Sequence, residues 1–217
     1  MATEIVIIVI SYLIGAIPFG LIIARLAGIA DIRKLGSGNI GATNVWRIAG
    51  AKVAIWVFVA DIGKGVVTVL LAGWAYSNYV DTLMSKELLL ALCGIAAVIG
   101  HVFPVYLNFR GGKGVNTALG VVATLLPLQA LISLVAFVLT VLLFRYISLG
   151  SIIAATVLCA TILIQKFGLH LDISTTYLIM VIVISFLVIL AHRKNIVRIL
   201  AGTENRFNFF GNAIKTK

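Results

Sequence analysis

The chain has 217 residues, 62% of them hydrophobic and only 11% charged, with a mean hydropathy of +1.17 and a formal net charge of +10. So oily a composition excludes a water-soluble domain and specifies an all-α integral membrane protein. The surplus Lys and Arg fall between apolar runs and not on one polar face, which argues against nucleic acid and points to membrane orientation and anionic partners. Cys93 and Cys159 sit inside apolar runs and behave as small hydrophobes, so no disulfide, metal site or cofactor is expected.

Residues 5–26 read as the first span, with Pro18 kinking it. Glu4, and the lack of a basic residue ahead of that run, argue against a cleavable signal peptide. A polar island follows at 31–52. Its Gly36-x-Gly38-x-x-Gly41 spacing matches a dinucleotide fingerprint, and Asp61 falls about twenty residues later. That fingerprint needs a βαβ unit, however, and here Asp61 lies in an apolar run after a membrane helix. The better reading is an oxyanion site. The glycines expose N–H groups beside Ser37, Asn39, Thr43 and Asn44, with Arg47 one helical turn beyond Thr43. The second run, 53–75, carries Asp61 and Lys64. Three apart, they can pair on one helical face, either as functional charges or as a structural ion pair.

A connection at 76–86 leads to the third span, 88–102, which ends at His101-Val102-Phe103-Pro104. His101 reads as a structural residue favoured by the helix C-terminus. The second island holds Asn108, Arg110, Gly111, Gly112, Lys113 and Gly114. Its expected role is a phosphate cradle made of glycine N–H groups and two cations; a cytoplasmic capping loop is the alternative. No Walker spacing is present. Residues 115–144 are too long for one crossing and short for two. The positive-inside rule places the N-terminus outside and all basic islands in the cytoplasm, and a break at Pro127 keeps Arg145 and the C-terminal island on that side. Spans at 149–164 and 175–190 complete seven, the fourth being short. The third island contains His192, Arg193, Lys194, Asn195 and Glu204. Ile196, Ile199 and Leu200 recur at helical spacing, as in a helix lying on the membrane surface. His192 is either a general base, a phosphate donor or a helix-terminal imidazole. Asn195 is placed to orient it or the substrate, and Glu204 to clamp Arg193, Arg198 or Arg206. No repeat or linker divides the chain, so 1–217 reads as one membrane domain.

Neither a His-x-x-x-x-Asp dyad nor a Gly-x-Ser-x-Gly elbow occurs, so any chemistry suits an already activated substrate. The three islands resemble the cytoplasmic motifs of the bacterial acyl-phosphate:glycerol-3-phosphate acyltransferases. The likeness lies in residues 36–47, in His-Val-Phe-Pro with Phe-Arg-Gly-Gly-Lys-Gly at 100–114, and in His-Arg-x-Asn-Ile-x-Arg with Gly-x-Glu at 192–206. The Asp61-x-x-Lys64-Gly65 stretch and the N-terminal Gly-x-Ile-Pro-Phe-Gly belong to it as well. This resemblance implies acyl transfer from acyl phosphate to the 1-hydroxyl of glycerol 3-phosphate, in the bacterial inner membrane. It also implies that Ser37 and adjacent amides hold the acyl-phosphate head while Arg47, Lys113, His192 and Asn195 hold glycerol 3-phosphate. Gly36, Gly38, Asn39, Thr43, Asn44, Asn108, Arg110, Gly111, Gly112, Gly114, Arg193, Lys194 and Glu204 would complete the site. The tail after Arg206 is expected to be dispensable. A transporter of phosphate esters is the competing class, although no matched pair of interrupted helices suggests inverted repeats.

Overall fold

The computed structural model describes residues 2–79 and 84–208. Asp81, in the connection expected at 76–86, and the tail beyond Asn208 lie outside the described residues. Among those described there is no strand. The helices are α1 (Ala2–Ala16), α2 (Phe19–Leu26), α3 (Ala42–Ala49), α4 (Ala51–Tyr79), α5 (Lys86–Val102), α6 (Val115–Leu125), α7 (Pro127–Phe144), α8 (Ile147–Leu163), α9 (Thr175–Ala191) and α10 (Arg193–Leu200).

The breaks fall where the backbone chemistry demands them. Pro18 cannot donate, so the first apolar run divides into α1 and α2 around it. Pro127 ends α6 and opens α7, with Leu126 held out of the helical conformation between them at φ −140 and ψ 65. Among the described residues five helical stretches, α1 with α2 counting as one, are long and apolar enough to cross a membrane, and α9 makes a sixth when taken with α10, to which it is bent by 57°. The remaining expected span, the short fourth, corresponds to α6, which has 11 residues. That is about 16 Å at 1.5 Å per residue, roughly half the hydrocarbon core. It nevertheless begins at the second island, and α7 ends at Arg145, whose carbonyl accepts a hydrogen bond from Phe207 N–H at 2.6 Å in the third island's tail. The α6–α7 pair therefore runs away from the polar end and returns to it.

α5 is the central helix, packed against α1, α4, α6 and α9. Small residues permit these approaches. A Cβ on Gly15 would lie 2.1 Å from Ala97 O, and Cβ atoms on Gly65 and Gly120 would lie 2.3 Å from Thr117 O and 2.2 Å from Ile62 O. Between membrane helices, where lipid offers no hydrophobic drive to associate, such backbone contact supplies the packing energy. The outward faces carry Trp56, Trp74, Leu142, Leu143 and Phe186, all exposed in the isolated chain and suited to lipid.

Candidate active site

The first island folds around Asn44, which is 1% exposed. Its Oδ1 accepts from Ser37 N–H at 2.9 Å, and its Nδ2 approaches the carbonyls of Ile32, Leu35 and Asn39 at 3.3, 3.0 and 2.9 Å. Gly36, at φ +58, lies so close that a Cβ would fall 2.3 Å from Asn44 Oδ1. Asn44 thus acts as the peg on which the loop hangs, and its amide is committed there. Ser37 is left exposed at the turn, and Asn39 Oδ1 accepts from Gly41 N–H at 2.8 Å. Thr43 and Arg47 follow on α3, both half-buried.

The second island differs from the expected cradle of glycine N–H groups. Gly111 N–H donates to Val102 O at 3.1 Å and Gly112 N–H to His101 O at 3.0 Å, while Phe109 N–H and Arg110 N–H bond to Pro104 O and Leu107 O. These donors are spent clasping the loop to the end of α5. The glycines serve close approach instead: Cβ atoms would meet Pro104 Cδ at 2.4 Å from Gly111 and His101 Nε2 at 2.1 Å from Gly112. Asn108 and Phe109 are non-glycine residues at φ 50 and 61. Each costs about 1–2 kcal/mol, a strain held by those same hydrogen bonds. The N–H groups of Gly111 and Gly112 are therefore taken up within the protein, while Arg110 and Lys113 bring cationic side chains to the cavity.

The third island is organised by Glu204. Its Oε1 accepts from Ser148 Oγ at 2.9 Å and from Asn195 Nδ2 at 2.7 Å, and its Oε2 from Arg198 Nε at 2.7 Å. Of the three clamp partners expected for Glu204, Arg198 is therefore the one it holds. Burial works to raise the Glu204 carboxyl, and the bonds from Asn195, Arg198 and Ser148 outweigh it, leaving it below the usual range. Asn195 also donates its backbone N–H to His192 O at 2.8 Å. His192, 1% exposed, follows α9, and its Nδ1 lies 2.8 Å from Val188 O. A carbonyl only accepts, so Nδ1 carries the proton and Nε2 keeps its lone pair. Burial and the neighbouring Lys113 charge push the imidazole down to about 4.

These islands converge. Burial and the like charge of Arg198 depress Arg47 while Glu204 opposes them. Burial lowers Lys113 to about 8, with Glu204 opposing and Arg198 and Arg47 assisting. Arg47, Lys113, His192, Arg198 and Glu204 thus share one local field. Beside it opens a cavity of about 880 Å³, lined by Gly38 and Asn39, by residues 108–113, and by Arg193 and Lys194, with Val102, Leu187, Leu190 and Ala191 as an apolar wall. Lys113 belongs to both groupings. Gly36, Ser37, Thr43, Arg47, His192, Asn195 and Glu204 are not among the cavity's lining residues.

Sequence reasoning passed over several participants. Arg33, also at the cavity, forks onto Asp31 at 2.9 and 2.8 Å and holds that carboxyl down to about 2. The Asp-x-Arg spacing was the available signal. Ser148 carried none, being one hydroxyl in an apolar run. Phe207 packs on Trp46 with ring centroids 5.4 Å apart, joining the tail to the turn that bears Arg47. The tail just past Arg206 is therefore engaged with the site.

Fold and site define an all-helical membrane protein with a cavity of mixed cationic and apolar lining at the polar end of its bundle. Residues 5–202 match the family model described as glycerol-3-phosphate acyltransferase, and the chain belongs to that family. It is 45% identical over 208 residues to the glycerol-3-phosphate acyltransferase of Geotalea daltonii, covering 95% of this chain and 99% of that relative. A crystal structure of PlsY (YgiH), an integral membrane glycerol 3-phosphate acyltransferase in its glycerol 3-phosphate form, superposes with a TM-score of 0.82 at 40% identity, covering 95% of this chain and 96% of the other. The lysophosphatidic acid form of that protein gives 0.81 at 39% identity, with the same coverage. Family membership displaces the transporter reading.

Proposed function

We propose that the chain transfers a fatty acyl group from acyl phosphate to the 1-hydroxyl of glycerol 3-phosphate, giving lysophosphatidic acid and inorganic phosphate. The observation that carries this reading is the cavity itself, in which the cations Lys113, Arg193 and Lys194 face an apolar wall from α5 and α9. Both substrates carry phosphate, and one carries a long chain that needs lipid or apolar protein around it. The hydroxyl oxygen attacks the acyl carbon, the bond to the phosphate oxygen breaks, and phosphate leaves with that electron pair. A mixed anhydride has a good leaving group, so positioning and charge stabilisation supply much of the catalysis. Ser37 and neighbouring amides take the acyl-phosphate head, Arg47 and Lys113 the phosphate of the acceptor, and Asn195 positions His192. No acyl-enzyme forms in this scheme.

The reading also places the protein as one domain in the bacterial inner membrane, with seven crossings, the N-terminus outside and the site in the cytoplasm. The clustering of basic residues at the polar end supports that orientation, with α6 as the short crossing. The test is a transfer assay on purified protein in lipid, with labelled glycerol 3-phosphate and palmitoyl phosphate or palmitoyl coenzyme A. Product from the phosphate donor alone is expected, and product from coenzyme A alone overturns the two-phosphate site. The hydroxyl proton has two candidate acceptors, His192 Nε2 and the departing phosphate. If His192→Gln keeps most of the maximal rate, the proton goes to phosphate.

A further inference from the structure

Asp61, Lys64, His101 and Thr117 form a buried polar cluster deep in the bundle, 2%, 4%, 5% and 0% exposed. They come from α4, α5 and α6, and the proposed transfer uses none of them. Asp61 Oδ1 lies 3.1 Å from Lys64 Nζ and 3.6 Å from His101 Nδ1, and neither approach is aligned as a hydrogen bond, so the Asp61–Lys64 attraction acts between charges. Lys64 Nζ donates to Ile17 O at 3.1 Å, the carbonyl immediately before Pro18. His101 Nδ1 also lies 3.2 Å from Thr117 Oγ1.

Packing alone does not require such a cluster. Charges deep in a bundle carry a desolvation cost, and well-fitted apolar side chains often replace a buried ion pair without loss of stability. The geometry points instead toward the loop. His101 meets the residue before Lys113 twice, since its carbonyl receives Gly112 N–H at 3.0 Å and its Nε2 lies 2.1 Å from where a Gly112 Cβ would stand. On the other side, Lys113 runs through Gly114 into α6, whose first turn presents Thr117 to the same imidazole. Lys113 is held between two attachments that meet at one residue, His101, beside whose ring stands Asp61 Oδ1, itself paired with Lys64.

We propose that Asp61, Lys64, His101 and Thr117 are positioning residues that set Lys113 for its phosphate, an inference that rests on the reading of Lys113 given above. Thr117→Val keeps the shape and removes the hydroxyl, while Thr117→Ser retains it. Two readouts apply: amide hydrogen exchange of the 108–114 segment, and KM for glycerol 3-phosphate against kcat in the transfer assay. Loss of one hydrogen bond should speed exchange of the segment about fivefold and raise KM by a similar factor, with kcat changed less. Thr117→Ser should restore both. Asp61→Asn combined with Lys64→Met, which removes both charges together, should give the same pattern. The proposal is overturned if folded Thr117→Val shows unchanged exchange and unchanged KM, whether or not the double variant folds. A wild-type protein that transfers no acyl group would defeat the functional reading alone, and the exchange measurement would still decide the positioning role.

Discussion

Lys113 offers the most direct test of the site because its charge is poised. Burial pushes its ammonium down to about 8, Glu204 opposes, and Arg198 and Arg47 add to the depression. An ordinary lysine ionises near about 10.4. At pH 8 about half of the unoccupied protein therefore carries neutral Lys113, and a phosphate dianion, which interacts best with the ammonium, draws a proton in as it binds. The protonated form is the binding form. Affinity for glycerol 3-phosphate should thus be full below about pH 8 and fall by up to about tenfold per pH unit above it. The substrate contributes no slope there, since the second ionisation of a phosphate monoester lies near about pH 6. Two measurements check this. KM for glycerol 3-phosphate followed from pH 6.5 to 9.5 should stay flat and then rise, and calorimetry in buffers of differing ionisation heat should show uptake of about half a proton at pH 8. Lys113→Arg remains charged throughout, so it should lose the pH dependence while binding more weakly, because a planar fork does not reproduce an ammonium's geometry. A wild-type KM that is level to pH 9.5, or an equal slope in Lys113→Arg, would refute the assignment of Lys113 as the ligand.

Two further outcomes follow from the pegs of the loops. Glu204→Ala strands the partners on Ser148, Asn195 and Arg198, at a cost of about 3 kcal/mol because Arg198 is partly exposed and water relieves it; Glu204→Gln should cost less, both read by thermal unfolding in detergent. Its carboxyl is held below its unfolded value of about 4.3, so its stabilisation is present above that pH and should disappear as pH falls through the lower folded value. Asn44→Ala unpairs Ser37 N–H and three carbonyls together. It should lower kcat/KM by at least about a hundredfold, equivalent to about 2.7 kcal/mol, while Asn44→Asp, which keeps only the acceptor, should not rescue it; near-normal kcat/KM in Asn44→Ala would show that the loop holds its shape without the peg.

What was legible in the sequence is what neighbouring residues decide between themselves. Pro18 and Pro127 break their helices because each lacks an N–H, and Asp61 meets Lys64 because a helix puts residues three apart on one face. What was not legible needed partners distant in the chain. A glycine either bares its N–H or lets another group come close, and composition does not distinguish the two. His101 and Pro104 decide it for Gly111 and Gly112 by taking the space a Cβ would fill. Glu204 could be expected to hold an arginine, but its bond to Ser148 spans 56 residues and joins the third island to α8. Asn44 illustrates the same limit from the other side. Its residue type and its place beside Ser37 are those of a ligand, yet its amide is turned inward because the loop it closes brings three carbonyls around it. Polar residues at the ends of apolar helices marked where the site would lie. Whether each one faces a substrate or supports its neighbour depended on the converging backbones, and the resulting pegs, Asn44, His101 and Glu204, leave the Ser37 hydroxyl and the cations Arg47, Arg110, Lys113, Arg193 and Lys194 to meet phosphate.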